Sequence, residues 1–354
     1  MIKFSEYVSL GHPDKIADYI SEYLLDRFIE RDKNTKYAVE VQIKDNFVTL
    51  GGEVTSNADI TNSEIDKFVR EAVNDIGYTK EYQLKWGKGN TICGDDLQII
   101  NHIGIQSPEI AQGVNLNEGW GDQGIFFGYA EPNEATEGMP LDYTLVRRIN
   151  KMLFDRKIGG LDIKTEVIMK EDRIKEIIAA IPTLKNNIQD IKNTIGEHVV
   201  HNYEIADDFS ITVNGTGTYK CHSSIADCGV TGRKLAVDFY GGNQKVGGGS
   251  VMSKDGSKAD VTLNLFARKI AKEAAFKFGE KVESSIACCI GKSDILVSLN
   301  KLDCEHTLID ERVMNIKPSE LITNLGLDKP IYASMCKWGL FGEFQKDKAW
   351  EKLK

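Results

Sequence analysis

The chain's reading turns on residues 227–260, DCGVTGRKLAVDFYGGNQKVGGGSVMSKDGSKAD. They open with Asp227, Cys228 and Gly229 and a turn of Gly232, Arg233 and Lys234. The apolar spacing over 235–240 predicts a short strand, and a loop with glycines at 241, 242 and 247–249 follows. That loop ends in Lys254, Asp255, Lys258 and Asp260. Glycine lets backbone N–H groups approach an anion closely. Arginine adds a planar fork of donors and lysine a point charge. Carboxylates among such cations suit Mg²⁺, which bridges carboxylate and phosphate oxygens. The stretch reads as a polyphosphate site with metal, against the plain alternative of a charged loop joining two elements. A Walker loop is excluded, because Ser253 stands where that pattern has the glycine before Lys254.

The rest of the composition narrows the class. A chain of 354 residues has room for two or three domains, and 41% apolar with 27% charged residues is ordinary for a soluble globular protein. A net charge of -9 argues against nucleic acid and anionic membranes as partners. The basic residues between Arg233 and Lys258 are then a local exception, as an anion pocket requires. No apolar run reaches the ~18 residues of a membrane span, and the first residues do not read as a signal peptide. Cysteines at 93, 221, 228, 288, 289, 304 and 336 form no C-x-x-C pair, and the histidines form no H-x-x-x-H pair. Zinc and a secreted disulfide framework are both disfavoured, and a reducing, cytoplasmic setting is expected.

Taken in order, the chain alternates helices and β-type runs. GHPDK at 11–15 leads into a helix with Ile16, Ile20, Leu24 and Phe28 on one stripe. Pro13 and Asp14 suit its first turn, so helix capping competes with an anion or metal role for His12 and Asp14. Runs over 37–43 and 47–54 predict a hairpin turning at Lys44, Asp45 and Asn46, with Glu40 and Glu53 on its strands. Glu40 has the simple alternative of pointing to solvent. A helix over 63–76 and a strand over 97–105 follow. Residues 106–124 form a long polar, glycine-rich loop, of the kind that carries function. Further strands are expected at 125–129, 161–169, 209–213, 282–290 and 295–299, with helices at 140–157, 184–194, 260–278 and 318–325. The recurrence of helix with β-type runs about every hundred residues predicts three similar α+β units.

GHPDK at 11–15, GDQG at 121–124, DCGVTGRK at 227–234 and GGG…SKDGSKAD at 247–260 resemble, in order and spacing, the motifs of the S-adenosylmethionine synthetase family. The resemblance runs from Ser5 to about Trp350. It implies an α+β fold of three related domains around a pseudo-threefold axis, here divided at 1–108, 115–222 and 223–354 with interleaved structural domains. It also implies attack of the methionine sulfur on C5′ of ATP, with the triphosphate leaving and then hydrolysed to pyrophosphate and phosphate. A thioether needs no base, so rate must come from positioning and from stabilising the leaving group.

Carried over by motif, His12, Lys164, Arg233 and Lys254 are the expected catalytic residues. ATP contacts are expected from these and from Asp122, Asp162, Thr218, Tyr219, Asp227, Lys234 and Ser250. Methionine falls to Glu53, Gln106, Asp227 and Lys258. Mg²⁺, two ions per site, falls to Asp14 and Asp260, and K⁺ to Glu40. The resemblance further implies a homodimer or dimer of dimers with active sites between subunits.

Three departures stand out. Ser250-Val251-Met252-Ser253 replaces Ala-Phe-Ser-Gly, Val261-Thr262 replaces Arg-Ser, and Cys221-His222-Ser223-Ser224 replaces a Gly-Gly-Pro turn. The 106–121 loop, a lid in the family, is several residues short, which predicts less complete gating. A nucleotide-binding regulator without catalysis and a different ATP-dependent transferase remain as alternative readings.

Overall fold

The computed structural model describes residues 2–104, 119–185, 187–302 and 305–353. The elements run β1 (Ile2–Val8), α1 (Pro13–Arg31), β2 (Lys36–Lys44), β3 (Phe47–Thr55), α2 (Asn62–Ile76), α3 (Lys80–Trp86), β4 (Gln98–Gly104) and β5 (Gly124–Ala130). They continue as α4 (Leu141–Asp155), β6 (Lys164–Lys170), β7 (Arg173–Ala180), α5 (Ile188–Asn202), β8 (Ile205–Val213), β9 (Gly229–Val230) and α6 (Leu235–Phe239). Last come α7 (Ala259–Phe278), β10 (Val282–Cys288), β11 (Asp294–Lys301), β12 (Leu308–Asn315), α8 (Pro318–Leu325) and α9 (Tyr332–Cys336).

The strands form three four-stranded sheets on one plan. The orders are β9-β2-β3-β4, β1-β6-β7-β8 and β5-β10-β11-β12. Each has an antiparallel hairpin at its centre and, antiparallel beside it, a strand supplied from elsewhere in the chain. In the first two sheets the last strand returns through a helix, α2 or α5, and so runs parallel to its neighbour. In the third, β11 and β12 pair antiparallel, with no helix between them among the described residues. The expected α+β architecture of three similar units is therefore present, with one unit closed differently.

Helices cover one face of each sheet. Helix α1 packs on β2 and β9 and against α2, α4 lies on β1 and β6, and α7 lies on β5 and β10. One apolar core runs continuously beneath the first two sheets, and a second fills the third. The opposite faces stay open: Phe4, Phe47, Ile100, Ile125, Leu296 and Val313 are exposed large apolar residues on strands. Isolated apolar side chains on a surface need no explanation, but apolar residues on the open face of every sheet do.

Two local expectations fail. Residues 235–239 form the short helix α6 instead of a strand. Gly241, at φ 67°, returns its amide to the Ala236 carbonyl at 2.8 Å and closes that turn, and Asp238 is drawn inward by Lys15 at 2.8 Å. The strand expected from Leu161 begins only at Lys164, because 161–163 is held as a loop under the GHPDK turn. There the Ser9 hydroxyl donates to the Leu161 carbonyl at 2.5 Å and the Ser9 amide to the Ile163 carbonyl at 2.9 Å. Gly11 is required at that contact, since a Cβ would lie 2.2 Å from the Leu161 oxygen.

Candidate active site

Helix α1 organises the site. Every residue from Pro13 to Glu22 is buried, charged ones included, so its polar side chains must find partners inside the protein. Asp14, Asp18, Glu22 and Asp26 recur every fourth residue and share a face. Each receives backbone N–H groups from residues between 230 and 333. Asp14 accepts from Val230 at 3.0 Å, Asp18 from Gly232 at 2.8 Å and Glu22 from Ser253 at 2.6 Å. Asp26 accepts from Tyr332 and Ala333, both at 2.9 Å. The first three acids clamp the 227–260 stretch along the helix, and Asp26 holds the start of α9. The apolar stripe at 16, 20, 24 and 28 gives no sign of this ladder; its only trace in the sequence is the four-residue spacing of the acids.

At the helix N-terminus His12, Asp14, Arg233 and Lys234 come together. Lys234 Nζ donates to Asp14 at 2.5 Å, and Arg233 Nε lies 3.6 Å from the other carboxylate oxygen. Burial works against the Asp14 charge, but Lys234 and the Val230 amide outweigh it and hold the carboxyl below its ordinary value. The His12 ring is pushed down to about 4, by burial first and by Lys234 second. It is therefore neutral at physiological pH. Its Nδ1 accepts the Asp14 amide at 3.2 Å, which leaves the ring proton on Nε2 as a donor. Capping and an anion-facing donor thus coexist in one side chain.

The second half of the site is docked on β2. Ala38 forms an isolated antiparallel bridge with Lys254, the Val39 amide donates to the Ser253 carbonyl at 3.1 Å, and the Tyr37 amide to Asp255 at 2.8 Å. Lys254 Nζ then meets Asp260 at 2.7 Å, and the other Asp260 oxygen accepts the Gly249 amide at 2.7 Å. Gly248, at φ 73°, passes so close that a Cβ would sit 2.8 Å from that carboxylate. Glu40 is held by two hydroxyls, Thr231 on one oxygen and Ser253 on the other at 2.8 Å. Ser253 is non-glycine at φ 74°, so this chain keeps the left-handed turn that a glycine would take freely. Ser250 donates to the Met252 carbonyl at 2.8 Å and packs under Gly232.

The remaining expected residues are arranged around these two clusters. Asp162 is buried and accepts the Ser223 amide at 3.0 Å; burial pushes its carboxyl up to about 6. The Tyr219 hydroxyl donates to the Asp162 carbonyl at 3.4 Å, and Thr218 is exposed beside it. Asp227 is exposed and close enough to act on the charges of both His12 and Asp162. Lys164 also bears on His12, but its ammonium pairs with Glu6 at 2.7 Å on an open sheet face. Glu53 lies across from Ala38 and Gly104, on the same outward face as Glu40. Lys258 pairs with Asp255 at 3.2 Å. Among the described residues Asp122 shares no ion pair or hydrogen bond with the Asp14 cluster; it caps its own turn at the Gln123 amide, 2.8 Å away. Gln106 and nearly all of the expected lid lie outside the described residues; Trp120, at the lid's end, is buried in the core of the third sheet.

The geometry is an array of cations interleaved with carboxylates at a helix N-terminus, suited to a polyphosphate. The comparisons agree. The S-adenosylmethionine synthetase N-terminal domain family matches residues 1–108, the central domain family 117–219 and the C-terminal domain family 221–352. The S-adenosylmethionine synthase of Mycoplasma capricolum is 33% identical over 99% of this chain and 94% of its own length. That of Mycobacterium marinum is 34% identical over 99% of this chain and 95% of its own. The structure titled an unusual S-adenosylmethionine synthetase from Campylobacter jejuni superposes with a TM-score of 0.86 at 29% identity, covering 100% of this chain and 97% of that one. The fold and site define a three-domain nucleotide-dependent transferase. The chain belongs to the S-adenosylmethionine synthetase family.

Proposed function

We infer that the chain is a methionine adenosyltransferase. It makes S-adenosylmethionine from ATP and L-methionine by attack of the methionine sulfur on C5′ and release of triphosphate, which is then hydrolysed to pyrophosphate and phosphate. The observation that carries this reading is the meeting of Asp14 with Arg233 and Lys234 at the buried N-terminus of α1, in a chain related to such synthases along nearly its whole length. A regulator that only binds nucleotide would not need this set of cations around a buried acid in one constellation.

In this reading Arg233, Lys234 and Lys254 neutralise the departing triphosphate, and His12 Nε2–H serves as a neutral donor near the reacting carbon. Asp162, Thr218, Tyr219, Ser250, Asp227, Asp122 and Lys164 hold the nucleotide. Glu53, Gln106 and Lys258 hold methionine, with Asp227 close by. The family needs a divalent metal. Asp14 and Asp260 offer hard oxygen donors and fit Mg²⁺. Among the described residues no group of three or more His, Cys, Asp or Glu side chains could hold a metal, so each ion would take its remaining oxygens from water and phosphates. Bound there, Mg²⁺ adds positive charge opposite the leaving group. We assign two such ions to the site, and K⁺ to Glu40, whose carboxylate sits among hydroxyl oxygens.

We also assign the three domains to 1–108, 115–222 and 223–354, and a cytoplasmic location. No helix among the described residues is long and apolar enough to cross a membrane. Self-association through the open sheet faces, as a dimer or a dimer of dimers, is supported by their exposed apolar residues and by the exposure of Glu40 on the same surface. Incubation with ATP, methionine and Mg²⁺, followed by mass spectrometry, tests the reaction. S-Adenosylmethionine with equal pyrophosphate and phosphate supports it; ATP binding without product favours the regulator.

A further inference from the structure

None of the roles above uses the aromatic box behind Asp162. His222 is fully buried. Its ring stands edge-on to Trp86, with centroids 4.7 Å apart, and to Tyr82 at 5.7 Å. Nδ1 lies 2.8 Å from the Lys220 carbonyl, which only accepts, so the neutral ring carries its proton there. Nε2 must then accept from the Tyr82 hydroxyl, 2.7 Å away. The same hydroxyl accepts the Leu161 amide at 3.0 Å.

Asp162 lies between the two segments joined in this way. Leu161 precedes it in the chain, and Ser223, which follows His222, donates its amide to the Asp162 carboxyl at 3.0 Å. Ser223 takes a left-handed φ of 60°, and its hydroxyl accepts the Ile92 amide at 3.3 Å. The His222 amide donates to the Asn90 carbonyl at 2.9 Å. The turn is thus tied to the segment that follows α3 as well. Apolar bulk alone would fill this space, but it would leave the Tyr82 hydroxyl without an acceptor.

We propose that His222 and Tyr82 are positioning residues for the nucleotide: their hydrogen bond locks the backbone on both sides of Asp162 and so fixes its carboxyl. The inference rests on the reading of Asp162 as a nucleotide contact. Burial drives the His222 ring down to about 4, which keeps the acceptor on Nε2 neutral through the working pH range.

The test uses the full chain as Asp162→Asn, Tyr82→Phe, His222→Phe and His222→Gln. KM for ATP and for methionine, calorimetric binding of a non-hydrolysable ATP analogue, and thermal melting are compared. Glutamine keeps an acceptor within reach of Tyr82. Asp162→Asn, Tyr82→Phe and His222→Phe should each raise KM for ATP and weaken the analogue roughly tenfold, the effect of about one buried hydrogen bond. KM for methionine should stay within about twofold, and His222→Gln should bring ATP back to within about threefold of the parent. If Asp162→Asn weakens ATP while the Tyr82 and His222 variants only melt earlier, the box is packing and the proposal falls. If Asp162→Asn leaves ATP unchanged, the reading of Asp162 fails and the positioning role fails with it. Should His222→Phe not fold, Tyr82→Phe, which removes a single oxygen, decides.

Discussion

Replacing Ser253 by glycine and by alanine separates backbone strain from side-chain anchoring beside Lys254. Ser253 is fully buried at φ 74°, a region that costs an L-residue roughly 1–2 kcal/mol and glycine almost nothing. Its amide is fixed on Glu22, its carbonyl on Val39, and its hydroxyl donates to Glu40 at 2.8 Å. That hydroxyl contributes about 1 kcal/mol. Alanine keeps the strain and loses the bond, so it should destabilise by about 1 kcal/mol. Glycine loses the same bond and relieves the strain, against roughly 0.5–1 kcal/mol of extra freedom in the unfolded chain, for a net change near zero. Alanine should therefore melt below glycine by about 1 kcal/mol, roughly 2 °C for a chain of this size. The usual order is the reverse. Scanning calorimetry and urea midpoints of the three proteins, measured side by side, decide the matter. An alanine variant as stable as the glycine variant refutes the left-handed geometry at Ser253.

Other outcomes follow from buried charge. Glu351 lies fully buried between Arg268 at 2.9 Å and Lys272 at 3.0 Å; Glu351→Gln takes from buried Arg268 its only carboxylate among the described residues, leaves Lys272 with Glu137 alone, and should cost about 3–5 kcal/mol in urea unfolding; a loss under about 1 kcal/mol would contradict that network. His222 titrates near 6.5 when unfolded and near 4 when folded. Between those values the unfolded chain binds the extra proton, so acidification costs the parent about 1.4 kcal/mol per pH unit. His222→Gln lacks this term and should gain on the parent by that slope between pH 6.5 and 4, and a pH-independent difference would rule it out. If active sites are shared between subunits, mixing Asp14→Asn with Gln106→Ala protein should restore part of the activity. No rescue despite demonstrated subunit exchange would count against shared sites.

What was legible in the sequence was what local chemistry writes down. The 16/20/24/28 stripe and the hairpin turn at Lys44–Asn46 are plain in the sequence and present in the fold, and among the motif residues Asp14 meets Lys234 and Lys254 meets Asp260. Elements whose form depends on distant partners were not legible. Strand β9 is two residues long and exists only because Val230 and Gly229 pair with Gln42 and Ile43. Helix α6 has five residues, too few for periodicity to tell helix from strand, and its inward Asp238 is explained only by Lys15 from the other end of the chain. Helix α3 carries a Thr79 cap and a Gly87 stop, but its seven residues are too few to show a period between them. The acid ladder at 14, 18, 22 and 26 was hidden for a different reason. Buried acids run against ordinary partition, and their partners are backbone amides, which leave no trace in composition.

The central claim is that the buried N-terminus of α1 is where the triphosphate is handled. It is tested most directly by the rate of S-adenosylmethionine formation in Asp14→Asn protein, measured at saturating ATP, methionine and Mg²⁺ beside the parent and with matched thermal melts. The account predicts a fall of at least about a hundredfold, some 2.7 kcal/mol of lost transition-state stabilisation, in a protein that still folds. A folded Asp14→Asn protein that works within tenfold of the parent would contradict it.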